Sequence, residues 1–307
     1  MPEGIRAVTY SIVARDPESG QMGVAVQTCN LAVGTWVPWA EGGVGAVATQ
    51  AVADRSYGTL GLSLLRGQKS AGEALAALLA VDERREFRQV AMVSAGGEVA
   101  VHTGRRCLPE AGSVAGEGFA TQANMMARAT VWEAMAGAYR RANGDFADRL
   151  LAALDAAEAE GGDIRGRQTA ALLVVDAQPA PFPLVDLRVD HHPDPLGELR
   201  RLLRLHRAYT AEYQIPELIA AGDVTTATRL LDQIGVWAPE EGYLQYLRAL
   251  HLAGRLDRWD EATAILRPLI KQAPLWREYL RRDAAVDHFD CPGVGARLLD
   301  LLENGEG

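Results

Sequence analysis

Uncharged polar residues gather at points in this chain where ordinary surface loops would carry Lys and Glu. They are Thr9 and Ser11, Gln27-Thr28, Thr49-Gln50, Thr103, and Thr121-Gln122-Ala123-Asn124, with Asp163, Arg165 and Gln168 further on. Hydroxyls and side-chain amides punctuated by glycine suit hydrogen-bond recognition of an amide or a carboxylate. The alternative is turn chemistry, because Asn, Asp, Thr and Gly populate caps and turns for local reasons. Asp163 and Arg165 leave the same choice open. Together they could hold a zwitterionic or acidic ligand, with Arg165 taking a carboxylate bidentately, or they could form an ion pair that closes a loop.

Other motifs give weaker signals. Gly43-Val44-Gly45-Ala46-Val47-Ala48 has dinucleotide-loop spacing, but it lies inside a strand pattern with no helix starting there. The chain has no Walker loop, GxSxG elbow or HExxH helix. His191-His192-Pro193-Asp194 offers metal-ligating side chains in a Pro-rich stretch, where solvation is the simpler reading, so no metal or cofactor is expected. Cys29, Cys107 and Cys291 are odd in number, widely spaced and in no CxxC pair, which argues against a disulfide framework and for a reducing cytosol.

The elements that must position the polar residues follow from periodicity and turn signals. Thr9–Arg15 is β-rich and is followed by the turn cluster Asp16-Pro-Glu-Ser-Gly20. Gly23–Thr28 then pairs back as a hairpin. Gly43–Gln50 is a strand of small residues. Helices are expected around Leu60–Leu65 and from the capping box Ser70-Ala-Gly-Glu73 to Val81. Phe87–Ala95 and Glu98–Thr103 form a hairpin about Gly96-Gly97. A Gly-rich loop (Gly112, Gly116, Gly118) leads to helices over Asn124–Arg141 and Phe146–Glu160, and strands Thr169–Asp176 and Leu184–Asp190 close the region. Strand runs separated by helix pairs place sheets in the middle and helices outside, in an α+β arrangement.

After the Pro-rich linker at 191–198 the pattern is helical only. Ala227, Leu231, Ile234 and Pro239 recur 35 positions later as Ala262, Leu266, Leu269 and Pro274. That period resembles a tetratricopeptide repeat and predicts a small all-α domain over 199–307. Its helices could hold a protein or peptide partner.

Composition narrows the partners. The 307 residues include 31 Lys and Arg against 40 Asp and Glu, a net charge of −9, so a phosphate backbone is repelled and nucleic acid is a poor partner. A hydrophobic content of 48% supports more than one core. No apolar run reaches the roughly 18 residues a membrane helix needs. A cytoplasmic chain is the expectation, and a homo-oligomer is compatible with the exposed Gly-rich strands. Lys69 and Lys271 are the only lysines, so no lysine amine is available near the first strand.

Several of these stretches together resemble the bacterial family known as domain of unknown function 1028. They are Thr9-Tyr-Ser-Ile-Val-Ala-Arg-Asp-Pro17, Gly23-Val-Ala-Val26, Gly43–Gln50, His102-Thr-Gly104, Gly161-Gly-Asp-Ile-Arg-Gly166 and Gln168-Thr-Ala-Ala-Leu-Leu173. The resemblance spans about residues 1–190. Ala123 stands where the family usually has Gly, and Thr169 where Ser is commoner. It implies a four-layer αββα sandwich of the N-terminal-nucleophile (Ntn) hydrolase type and amide-bond cleavage by a hydroxyl or thiol on the chain's own first residue. Thr9 takes the place of that nucleophile, with Ser11 second, once a leader ending at Val8 is removed. The α-amine then serves as base, its ordinary pKa being about 7.7–8.0. The substrate implied is a small amide or short peptide. Asn124, Asp163, Arg165 and Gln168 would position it, and Thr49 or Gln50 would assist the oxyanion. Some family members carry a C-terminal region described as peptidoglycan-binding, so a peptidoglycan fragment joins the expected partners.

Overall fold

The computed structural model describes residues 6, 7, 9–287 and 291–304. Its contacts divide the chain into two compact units, residues 1–201 and 202–307.

The first unit contains two antiparallel sheets. One comprises β1 (Arg6–Ala7), β4 (Pro38–Glu41), β5 (Gly45–Val52), β6 (Arg88–Ser94) and β7 (Val99–Thr103). β1 and β4 pair with successive parts of β5, which pairs on its other side with β6. The second sheet has six strands in the order β11-β10-β3-β2-β9-β8. These are β2 (Thr9–Arg15), β3 (Met22–Thr28), β8 (Gly112–Gly116), β9 (Phe119–Ala123), β10 (Thr169–Val175) and β11 (Val185–Val189).

Alternation along each strand decides what lies between the sheets. Val13, Val24, Val26 and Ala171 of the second sheet pack with Ala46, Ala48, Ala91 and Val93 of the first in one buried cluster. The intervening residues Val47, Val90 and Met92 point the other way, into a cluster with Tyr57, Leu62 and Leu65 of α1 (Ser56–Arg66) and Leu75 and Leu78 of α2 (Ala71–Val81). On the second sheet, α3 (Val131–Arg141) packs against β8 and β9, and α4 (Phe146–Ala159) packs against β2, β3 and β10. Leu150, Leu151 and Leu154 of α4 are essentially inaccessible, each stabilising the fold by about 1.5–3 kcal/mol.

The capping box expected at α2 is present: Ser70 Oγ accepts from Glu73 N, and Glu73 Oε2 accepts from Ser70 N. The region expected to be a Gly-rich loop followed by helix from Asn124 is instead the hairpin β8–β9, and α3 begins only at Val131. Gly, Ser and Ala carry little β signal of their own, and the small residues are there for packing and turning. A Cβ on Gly112 would lie 2.5 Å from the Trp132 ring, and Gly118 turns the hairpin at φ +69°. β4 also went unforeseen, because Pro38 and Trp39 open a strand of only four residues.

Arg88, 5% exposed, ties β6 to α2. Its Nε donates to Asp82 Oδ2 at 2.7 Å, where the Tyr57 hydroxyl also donates at 2.9 Å. Burial works against ionisation of Asp82, but the hydrogen bonds from Arg88, Arg84 N and Tyr57 outweigh it and hold the carboxyl below its ordinary value. A folded-state pKa below the unfolded one contributes stability that is present above about pH 4 and lost as pH falls through the folded value. Unfolding midpoints measured from pH 6 to pH 2 are therefore expected to fall on the acid side, and Asp82→Asn is expected to flatten that fall.

The second unit is helical: the later part of α5 (Pro195–Ala220), then α6 (Val224–Trp237), α7 (Gly242–Leu256), α8 (Trp259–Gln272), α9 (Leu275–Val286) and α10 (Val294–Asn304). Its core joins Ala208 and Ile215 to Leu231, Leu250, Leu266 and Leu298. The residues that repeat at 35 positions fall at matching places, Ala227 and Leu231 in α6 and Ala262 and Leu266 in α8, all buried. Among the described residues, no helix is long and apolar enough to cross a membrane.

Candidate functional site

Thr9 opens β2, and register sets its neighbours. It lies opposite Thr28 at the end of β3, and Thr28 lies opposite Thr169 at the start of β10. Alternation from Val13, Val26 and Ala171 turns all three threonines to the face between the sheets. All three are fully buried. Thr169 Oγ1 donates to Asn30 O at 2.7 Å, and Asn30 Nδ2 donates to Thr28 Oγ1 at 3.4 Å. Among the described residues, Thr9 Oγ1 has no hydrogen-bond partner. Leaving a buried hydroxyl unpaired costs about 1–3 kcal/mol, so such a group calls for an explanation.

The backbone around Thr9 is tied to a layer of side-chain amides from both sheets. The Thr9 carbonyl accepts from Asn124 N at 3.1 Å, Gln50 Nε2 at 3.0 Å and Asn124 Nδ2 at 3.4 Å. Ser11, two residues on and on the same face, donates from Oγ to Gln50 Oε1 at 2.7 Å and accepts from Gln122 Nε2 at 3.2 Å. Gln89 links the layer. Its Oε1 accepts from Gln50 Nε2 at 2.7 Å and Asn124 Nδ2 at 3.0 Å, while its Nε2 donates to Thr103 Oγ1 and to the carbonyls of Gly112 and Ala123. Gln50, Gln89, Gln122 and Asn124 are at most 1% exposed. Beyond Gln50, Ala51 adopts φ +67°, unusual for a residue with a Cβ, at the point where β5 pairs with Ala7.

Asp163 and Arg165 come to the same end of the second sheet by the loop before β10. Asp163 Oδ2 accepts from Cys29 N and Arg165 Nη2, each at 3.0 Å, and Oδ1 accepts from Arg165 N and Nε. Asp163 is therefore saturated by its own loop and by the end of β3, while the Arg165 side chain is 34% exposed. Gln168 is half-buried; its N donates to Thr28 O and its Nε2 meets His191 Nδ1 at 3.1 Å. Thr49 is not brought to this group. It alternates with Gln50 and follows Val47 toward α1, and its buried hydroxyl lacks a partner there.

The opposite face of β2 carries a second polar cluster that the sequence reading passed over. The Tyr10 hydroxyl donates to Glu158 Oε1 at 2.6 Å, and Gln27 Nε2 donates to the same oxygen. Burial and the adjacent Glu158 carboxylate push the Tyr10 phenol well above its ordinary pKa, so it is a neutral donor. Gln89 was also missed, although a lone amide among the apolar residues of Arg88–Ser94 is a signal for it. Cys107, pushed up to about 11 by burial, is a poor thiolate at neutral pH. Among the described residues, no group of three His, Cys, Asp or Glu side chains is arranged to hold a metal ion.

The bond between Val8 and Thr9, where the leader would be cut, lies outside the described residues. What the geometry provides, among the described residues, is a buried hydroxyl without a hydrogen-bond partner on the first residue of β2, whose carbonyl is held by amide donors.

No curated protein matches the chain. It is similar to protein SPO2555 from Silicibacter pomeroyi, known from a crystal structure. The two are 35% identical over 64% of this chain and 88% of that one, with a TM-score of 0.59. Residues 9–199 match the model of DUF1028, described as a family of unknown function. With that match covering well over half of its length, the chain belongs to the DUF1028 family.

Proposed function

We propose that residues 9–190 form an Ntn-hydrolase-like αββα sandwich that hydrolyses a small amide or short peptide, with Thr9 as nucleophile once the leader is removed. The observation that carries this reading is the hydroxyl of Thr9, the strand's first residue, which is fully buried and has no hydrogen-bond partner among the described residues. Removal of the leader would give Thr9 a free α-amine, which takes the hydroxyl proton as Oγ1 bonds to the substrate carbonyl carbon. The tetrahedral oxyanion then collapses, and the departing amine takes that proton back. Water hydrolyses the acyl ester with the α-amine again as base. Asn124 Nδ2 and Gln50 Nε2, whose hydrogens go to the Thr9 carbonyl and to Gln89 Oε1, would hold in place the backbone that carries the nucleophile. Arg165, held by Asp163, would receive a substrate carboxylate. The C-terminal unit, in this reading, is a tetratricopeptide-like partner surface for a protein, peptide or peptidoglycan fragment.

A second reading is a binding protein without turnover. It is favoured by the saturation of the Asp163 carboxylate and by the closed amide layer, both of which a purely structural site would also have. A β-lactone that acylates hydroxyl nucleophiles separates the two. Turnover predicts that its mass is added to the peptide beginning at Thr9. Ligand binding with no label on Thr9 supports the second reading.

A further inference from the structure

A cavity of about 610 Å³ opens at the end of β2 opposite Thr9. Six residues at about 3.3 Å each separate Thr9 from Arg15, so the two places lie roughly 20 Å apart. The cavity sits where the β2–β3 turn, the β8–β9 turn and the α3–α4 loop meet. Three guanidinium groups line it: Arg15, Arg140 and Arg149.

The three arginines differ in what holds them. Arg149 is fixed, its Nη1 on Asp16 Oδ1 at 2.7 Å and its Nη2 on the Tyr139 hydroxyl at 3.2 Å. Asp16 is spent on Arg149 and on the Ser19 amide and hydroxyl. Arg140 lies over the Phe119 ring at 5.1 Å, and among the described residues neither it nor Arg15 is ion-paired. Among the described residues, the buried Arg15 Nε has no acceptor. Two acids, Glu18 and Glu117, stand exposed at the rim, also without an ion-pair partner among the described residues. Phe119 and Tyr139, with ring centroids 4.8 Å apart, are buried beneath Arg140 and Arg149 and set where those guanidinium groups lie.

We propose that this cavity binds a free α-amino acid, a ligand that carries both charges. The carboxylate pairs with Arg15 and Arg140, in the bidentate geometry guanidinium favours. The ammonium faces Glu18 and Glu117. The volume falls within the ~300–1,000 Å³ usual for small-molecule sites. The rim carboxylates oppose a polyanion, which separates this ligand from a phosphate or a nucleotide. The proposal does not depend on Thr9 being catalytic.

Calorimetric titration of the full chain with the common L-amino acids tests it, followed by the N-acetyl and carboxamide derivatives of the best binder and by inorganic phosphate. Saturable binding is expected for one or more of the amino acids. Either derivative, lacking one charge, should bind about tenfold to hundredfold more weakly. Arg140→Gln, at an exposed position, should weaken the amino acid by a similar factor, and Glu117→Gln should weaken it without affecting its N-acetyl derivative. Thr9→Ala, at the far end of the strand, should bind as the parent does. The proposal is overturned if no amino acid binds at millimolar concentration, if phosphate binds as well as the amino acid, or if Arg140→Gln leaves binding unchanged.

Discussion

Thr9→Ala is expected to abolish amide hydrolysis, lowering kcat by a factor on the order of 10⁴ or more, while leaving the unfolding midpoint nearly unchanged. The two halves of that result come from the same atom. As nucleophile, Oγ1 forms the bond on which every later step depends. As a structural group it contributes little, because it is buried without a partner, so deleting it strands no donor or acceptor. The expected stability change is within about 1 kcal/mol, and Thr9→Ser should retain turnover. Ser11→Ala offers the contrast: Ser11 donates to Gln50 and accepts from Gln122, so its removal leaves two buried amides short of a partner and should destabilise. Kinetics and denaturant unfolding on the three variants check both halves. Unchanged turnover in Thr9→Ala would remove Thr9 from the mechanism.

The largest stability effect is expected at Gln89. Its side chain makes five hydrogen bonds at the junction of the two sheets, to Gln50, Asn124, Thr103 and the carbonyls of Gly112 and Ala123. Gln89→Ala would leave several of these groups buried and unpaired and would open a void. Each orphaned group costs about 1–3 kcal/mol, partly recovered by relaxation. A loss of roughly 3–5 kcal/mol is expected, a large share of the ~5–15 kcal/mol by which domains are stable. Urea unfolding of the variant measures it. A loss below about 1 kcal/mol would mean that water replaces the side chain and that the layer is not a rigid support for Thr9.

The strands that carry the site were legible because their signals are local. Thr9–Arg15, Gly23–Thr28 and the β6–β7 hairpin follow from alternation and turn residues, and the α2 capping box is a two-residue pattern. The β8–β9 hairpin was not legible, because Gly112 is a glycine to make room for Trp132, a contact made only after folding. Similar reasoning applies within the site. Thr9, Ser11, Gln50 and Asn124 are marked by type and do gather. Thr49 is equally polar, but one step along β5 turns it to the helix side, and side-chain type does not report that parity. Gln89 differs: a lone amide in a mostly apolar strand is a signal, but only pairing shows that it bonds the two side chains that hold the Thr9 carbonyl. Asp163 and Arg165 were left between ligand and loop. In the structure the carboxylate serves the loop, while part of the guanidinium faces solvent.

The most direct test of the central claim is the intact mass and N-terminal sequence of purified protein that turns over an amide. A chain that begins at Thr9 is expected, its free α-amine being the only base in the mechanism. Turnover by protein that still carries residues 1–8 would contradict it, because Thr9 would then present an amide nitrogen with no basic lone pair.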